Sequence, residues 1–235
     1  MNYLTFKNDD VIQLDSDGRK VLAVDIQPEK ACIFNCVVCS RGQTKFQGEW
    51  HDFGPVEDSL EALRQQIADR KPDLVEIYGQ GDILTNVHLE EIIDCVHAEG
   101  LPVRLITNCY LLGIGEHMRV ACLAEEVVGA FGIVDEDAFR RYHRPVPKLC
   151  FSAKKQTESL VRFSRQYEGK FTLRVFLSKG FNDDEESVSR IKSIVNRCKF
   201  DALWVAPTGN LGVSQERAAQ IQAYITGTDA GVKNE

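Results

Sequence analysis

Six short apolar runs rich in β-branched residues, each followed by a turn and most by an amphipathic stretch, constrain this chain more than any other feature. They are VLAVDIQ (21–27), LVEIYG (74–79), VRLITN (103–108), VVGAFGIV (127–134), FTLRVFLSK (171–179) and ALWVAP (202–207). None alternates cleanly between apolar and polar residues, as expected of strands in a parallel sheet covered by helices. The stretches between them read as helices. PVEDSLEALRQQIADR begins with Pro55 and early acids, LEEIIDCVHAEG stops at Gly100, and DDEESVSRIKSIVNRC runs from acids to bases along its axis. Such units build a parallel α/β sheet, either open and doubly wound or most of a barrel. In both, ligand chemistry collects where the strands end, so the residues just after each run are the ones to read.

The chain has 235 residues, 43% hydrophobic and 27% charged, which suits one domain with a substantial core. We expect a single unit with its core at about 20–208, followed by a C-terminal helix or tail over 209–235 whose last residues, TGTDAGVKNE, fray. No apolar run is long enough for a membrane span, and the first residues carry too many acids and amides for a secretory signal, so the expected location is cytoplasmic. In that compartment the eight cysteines do not read as a disulfide framework. A net charge of −7 offers no footprint for a large nucleic acid.

Three of the cysteines fall in CIFNCVVCS (32–40), directly after the first strand. Structural zinc takes four ligands, and an iron–sulfur cube that only carries electrons also takes four thiolates. Cys32, Cys36 and Cys39 leave one position open, where a small molecule can bind. A zinc site completed by a distant residue such as His51, or unrelated core cysteines, are the alternatives on spacing alone.

The words around the cysteines narrow this. LAVDIQPEKACIFNCVVCSRGQT, GQGDILTNVHLEEII, LITNCYLL, DEDAFRRYHRP and VFLSKGFND occur in an order and at separations that resemble the radical S-adenosylmethionine (SAM) superfamily, in the group that includes the wyosine-base synthase acting on tRNA(Phe). The resemblance covers residues 20 to 183. It implies a partial (β/α)6 TIM-like barrel in which Cys32, Cys36 and Cys39 bind a 4Fe–4S cluster and the open iron binds SAM. It also implies reductive cleavage of SAM to a 5′-deoxyadenosyl radical, which abstracts hydrogen from a small or nucleotide-like substrate. The SAM-binding turn after the second strand is Gly79, Gln80 and Gly81, with Asp82 as counter-charge to the ammonium group. Thr107 and Asn108 are placed for the ribose. Lys179 is placed for the SAM carboxylate or for a substrate carbonyl or phosphate, and Cys109 faces the substrate side.

This chain departs from the group at several points. Val38 stands where an aromatic residue precedes the third cysteine, and Asp82–Ile83 replaces a Glu–Pro pair. Cys109 replaces a glycine, and Ala130, Phe131 and Gly132 replace a Ser-Leu-Asp. Archaeal relatives carry additional cysteines upstream and eukaryotic ones a flavodoxin-like domain. No cysteine precedes Cys32 here, so a separate flavodoxin or ferredoxin is the expected electron donor, and a tRNA substrate is possible but not favoured. An iron–sulfur protein with an altered co-substrate, or without turnover, is a further alternative. Cys95, Cys122, Cys150 and Cys198 read as small buried hydrophobes. Asn182 and Asp183 read as helix caps, His88, His97 and His117 as surface or boundary residues, and RRYHRPVPK as a basic helix end. Trp50 shields the site or packs beneath it.

Overall fold

The computed structural model describes residues 1–7, 13–44, 48–145 and 151–228. Two short strands come first, β1 (Thr5–Phe6) and β2 (Gln13–Leu14), and then β3 (Lys20–Asp25). Helices and strands follow in alternation: α1 (Glu57–Arg70), β4 (Leu74–Tyr78), α2 (Leu89–Ala98), β5 (Val103–Thr107), α3 (Gly115–Ala121) and β6 (Glu126–Phe131). The chain continues through α4 (Glu136–His143), α5 (Ala153–Gln166), β7 (Lys170–Leu177), α6 (Glu185–Val195), β8 (Ala202–Pro207) and α7 (Gln215–Thr226).

Strands β3 to β8 lie side by side in sequence order and run parallel, so the sheet is a six-strand partial barrel. It does not close. On its first edge β1 and β2 both pair antiparallel with β3, which covers that edge and its unpaired backbone groups. The sequence pattern misses these strands, because two residues each are too few to show a period. It also leaves α3, α4 and α5 unmarked. Short polar caps start several helices: the Asp135, Ser152, Asp184 and Ser214 side chains accept from the Ala138, Lys155, Ser187 and Arg217 amides.

Alternation along each strand separates two faces. On β7, Phe171, Leu173, Val175 and Leu177 are buried against the helices, while Thr172, Arg174 and Phe176 are half-buried on the concave face. The end where the strands begin is closed by charge. Arg104 bridges Asp15 (2.8 Å), Glu126 (2.7 Å) and Glu76 (3.3 Å), and Arg19 joins Asp15 (2.8 Å) to Glu126 (2.7 Å). Burial pushes the Asp15 carboxyl up, but hydrogen bonds from Arg104 and Arg19 outweigh it and hold it well below the usual range.

Several sequence expectations change in the structure. Asp184, not Asn182 or Asp183, caps α6. Asn182 is buried and donates to the Gly132 and Phe176 carbonyls, and Asp183 accepts from the Gly180 amide. His117 is buried, with Nδ1 2.8 Å from the Leu84 carbonyl and its ring stacked on half-exposed Trp50, which lies outside the barrel. Cys122 is exposed at the end of α3, whereas Cys95 is buried and Cys198 half-buried. Cys150, the VPK end of the basic stretch (146–148) and the tail from residue 229 lie outside the described residues.

Candidate functional site

The cysteine loop leaves β3 at the end where the parallel strands finish, and three sets of contacts hold it there. Gln27 is the first. Its side-chain nitrogen donates to the Ala31 carbonyl (3.1 Å), the Asp82 carbonyl (3.0 Å) and the Thr85 hydroxyl (3.2 Å), while its oxygen accepts from the Gly81 amide (2.6 Å). One buried amide thus joins the loop to the turn after β4. Close packing there leaves no room for a side chain: a Cβ on Gly81 would collide with the Ala31 carbonyl and lie 2.9 Å from Cys32 Cβ. Thr44 is the second, accepting from the Cys32 amide (3.3 Å) and donating to the Lys30 carbonyl (3.0 Å). The third is α4, whose Tyr142 and His143 carbonyls accept from the Val37 and Asn35 amides (2.9 and 2.8 Å).

Cys32 is buried, and Cys36 and Cys39 are half-buried. The Cys32 sulfur accepts from the Phe34 amide (3.4 Å) and lies 3.8 Å from Asn108 Nδ2. Burial, then the nearby Asp82 carboxylate, push the Cys32 thiol up to about 12. Burial also raises Cys36, with Cys32 and Cys39 both close enough to add to the effect. The three thiols are therefore neighbours. Among the described residues no set of His, Cys, Asp or Glu side chains is already arranged around a metal. The donor set itself fits: three thiols from one loop, with two of them on a cavity wall and, among the described residues, no other cysteine lining it.

That cavity has a volume of about 270 Å³ and is lined mostly by apolar groups. Cys36, Val38 and Cys39 form one side, Asn108 and Gln156 another, and the ends of β6 and β7, Tyr142 and His143 of α4 and Thr208 after β8 the rest. The position agrees with the rule that sites lie beyond the carboxyl ends of parallel strands. Val38 and Asn108 both line the cavity. Gly79, Gln80 and Gly81 are not among its lining residues; in their turn Gln80 donates to Asp25 (2.7 Å). Asp82 is fully buried behind this turn, accepting from the Thr107 hydroxyl (2.8 Å) and the Leu84 amide (3.3 Å), and its Oδ2 has no hydrogen-bond partner. Burial raises this carboxyl to about 6, against the opposing hydrogen bonds.

Cys109 and Lys179 are not brought to the cavity either. Cys109 has a left-handed backbone (φ 66°) and is fully buried, its sulfur packed against Gly129, where even a methyl group would clash. Lys179 is exposed at the turn after β7. His51, the fourth ligand of the zinc alternative, is tied by its backbone to Thr85 and Val87 and does not line the cavity.

Two other residues belong to the site and escape a reading of the sequence. His143 lies among Phe34 and Phe139, each 4.7 Å away between ring centroids, and its Nδ1 is 3.1 Å from Cys36 Sγ. Burial lowers its pKa to about 3, so the ring is neutral. Gln156 of α5 donates to the Asn108 carbonyl (3.2 Å) and keeps a buried, unpartnered Oε1. The only sequence signal for His143 was its place in a basic stretch, which points to solvent instead.

No family model matches the chain. It is 27% identical over 200 residues to a protein named GTPase Obg from Brachyspira hyodysenteriae, covering 84% of this chain and 29% of that protein. It is 25% identical over 183 residues to a UPF0026 protein of Helicobacter pylori, covering 76% and 58%. The chain therefore spans well under two thirds of these relatives, and it contains no Gly-x-x-x-x-Gly-Lys-Ser/Thr nucleotide-binding loop. Among solved structures it resembles a radical SAM methyltransferase from Sphaerobacter thermophilus (TM-score 0.63, 13% identity, covering 97% of this chain and 76% of that one). It also resembles TYW1 with a lysine–pyruvate adduct bound (TM-score 0.60, 16% identity, covering 88% and 73%). The fold is that of radical SAM enzymes.

Proposed function

We propose that this chain is a radical SAM iron–sulfur enzyme domain, in which Cys32, Cys36 and Cys39 hold a 4Fe–4S cluster with one iron left for the methionine end of SAM. One observation carries the reading: on a fold shared with radical SAM enzymes, the three-cysteine loop is clamped over the strand ends and borders a cavity that no further cysteine lines among the described residues. When bound and reduced, the cluster supplies the electron that splits SAM into methionine and a 5′-deoxyadenosyl radical, which takes hydrogen from the substrate.

The chain's own residues then have separable tasks. Gln27 and Thr44 fix the entry and exit of the loop. Gly79, Gln80 and Gly81 give the methionine end a close backbone approach, and the bare Asp82 oxygen behind them is the acceptor for its ammonium group. Asn108 and Gln156 offer polar atoms to the ribose, with Thr107 holding Asp82 in place, and Val38 borders the adenine. Phe176, Phe131 and Ile133 wall the cavity against water. Lys179 stays exposed at the turn after β7 and takes no part in the cavity, and buried Cys109 serves packing. Cys36 and Cys39, half-buried, mark the side from which a flavodoxin or ferredoxin delivers the electron. The substrate is small or nucleotide-like, since the net charge of −7 gives no support for tRNA. Among the described residues no helix is long and apolar enough to cross a membrane.

Iron and sulfide analysis after anaerobic reconstitution tests the ligand set. The parent chain should load close to four irons per chain, the content of one 4Fe–4S cluster. Cys32→Ala, Cys36→Ala and Cys39→Ala should each fail to hold the cluster, while Cys95→Ala loads like the parent. Full loading of Cys36→Ala removes the assignment.

A further inference from the structure

The concave face of the barrel carries one arginine that the site described above does not use. Arg174 lies on β7 two residues before Phe176, on the same face, so about 7 Å below a residue that lines the cavity. Its partner across the sheet, Ala130, also lines the cavity and leaves space beside it. On the other side stands Trp204 of β8, whose ring centre is 5.2 Å from the guanidinium carbon.

Its neighbours show what it lacks. Arg19 and Arg104 are each held by two or more carboxylates. Arg174 forms no ion pair among the described residues, and its Nε is buried without a hydrogen-bond partner. Glu76 is near enough to act on it electrostatically, yet Glu76 is engaged by Arg104 at 3.3 Å. Burial lowers the pKa of Arg174, and Arg104 adds to this, but a guanidinium stays charged in either case. A desolvated cation with a bare donor is a cost that folding does not need. The cation–π contact with Trp204 holds the guanidinium while its Nε stays without a hydrogen-bond partner.

We propose that Arg174 is an oxyanion anchor in the barrel lumen, taking a carboxylate or phosphate group of the substrate below the cysteine-bordered cavity. The planar fork of donors matches either group with two parallel hydrogen bonds. The proposal rests on the cavity being the reaction site, and it narrows the substrate to one with an anionic end.

Trp50→Phe leaves Trp204 as the single tryptophan and gives a direct readout. In this parent, iron-loaded and at constant ionic strength, malonate and inorganic phosphate are titrated separately while Trp204 fluorescence is followed. At least one should give a saturable change, and which one does identifies the group. Arg174→Gln should weaken that binding at least tenfold, and Arg174→Lys, which keeps the charge but loses the fork, by less. Circular dichroism of each variant confirms that it is folded. No saturable change with either anion, or an Arg174→Gln protein that titrates like the parent, overturns the anchor. Iron content of the same samples separates the two ideas: full loading with no anion effect removes only the anchor. An Arg174-dependent anion effect in a chain that cannot be loaded supports the anchor and removes the enzyme reading.

Discussion

The two ends of the barrel treat their polar groups in opposite ways. Where the strands begin, Asp15, Arg19, Glu76, Arg104 and Glu126 pair with one another. Where the strands finish, Asp82 Oδ2, His143 Nε2 and Gln156 Oε1 are all buried without a hydrogen-bond partner. A bare buried polar atom costs about 1–3 kcal/mol. The first end is therefore held together by ion pairs, and the second keeps three buried polar atoms open to a ligand. Substitutions at the two ends should accordingly move different observables.

The largest effect is expected at the closed end. Arg104 is 13% exposed and faces three carboxylates. Arg104→Met leaves Glu76 unpaired and Asp15 and Glu126 to Arg19 alone, and should cost ~3–5 kcal/mol in urea unfolding, the usual result of breaking a buried network from one side. Iron loading of the folded fraction should not change. Loss of loading without loss of stability would erase the distinction between the ends.

Asp82→Asn should act in the opposite sense. The folded carboxyl is raised from 3.8 to about 6, so the native state binds the proton more tightly than the unfolded chain and loses stability as pH rises through that interval. Asparagine does not titrate. Relative to the parent, the variant should gain nothing below about pH 4 and up to ~3 kcal/mol above about pH 6. The same variant should lose SAM affinity by ~1.5–3 kcal/mol, the worth of a charge-assisted hydrogen bond. Thermal melts across pH check the first half, and SAM titration of the reduced, loaded protein the second. A variant no more stable than the parent at pH 7.5 would mean that Oδ2 carries no buried cost.

The smallest effect on stability is expected at His143. Phenylalanine fits the aromatic surroundings of Phe34 and Phe139 but cannot donate to Cys36. His143→Phe should leave the melting temperature nearly unchanged and shift the midpoint potential of the loaded protein to a more negative value, since hydrogen bonds to cluster sulfurs favour the reduced state. An unchanged potential in an electron paramagnetic resonance titration would detach His143 from the site.

The architecture was legible because each of the parallel strands is an unbroken apolar run and the intervening helices are amphipathic. The apolar runs overshoot β3 and β6 into Ile26 and Ile133, since the turns beyond those strands also pack into the core. The cysteine spacing and the glycine turn were legible for a similar reason: both are local in sequence. What the sequence hides is side-chain direction and distant contact. Cys109 and Asn108 are adjacent at one strand end, yet a left-handed backbone at Cys109 leaves its sulfur in the core while Asn108 lines the cavity. His143 meets Cys36 across 107 positions, a pairing that no local pattern encodes. Arg174 looks like any polar residue in a strand until its neighbours and their carboxylates are placed.

The most direct measurement is chromatography of a quenched anaerobic reaction containing the reconstituted chain, dithionite and SAM. Methionine and 5′-deoxyadenosine should accumulate slowly and in equal amounts even without substrate, and Cys36→Ala should form neither. A fully loaded, demonstrably reduced and SAM-bound parent that releases no 5′-deoxyadenosine would contradict the assignment and leave an iron–sulfur protein of another kind.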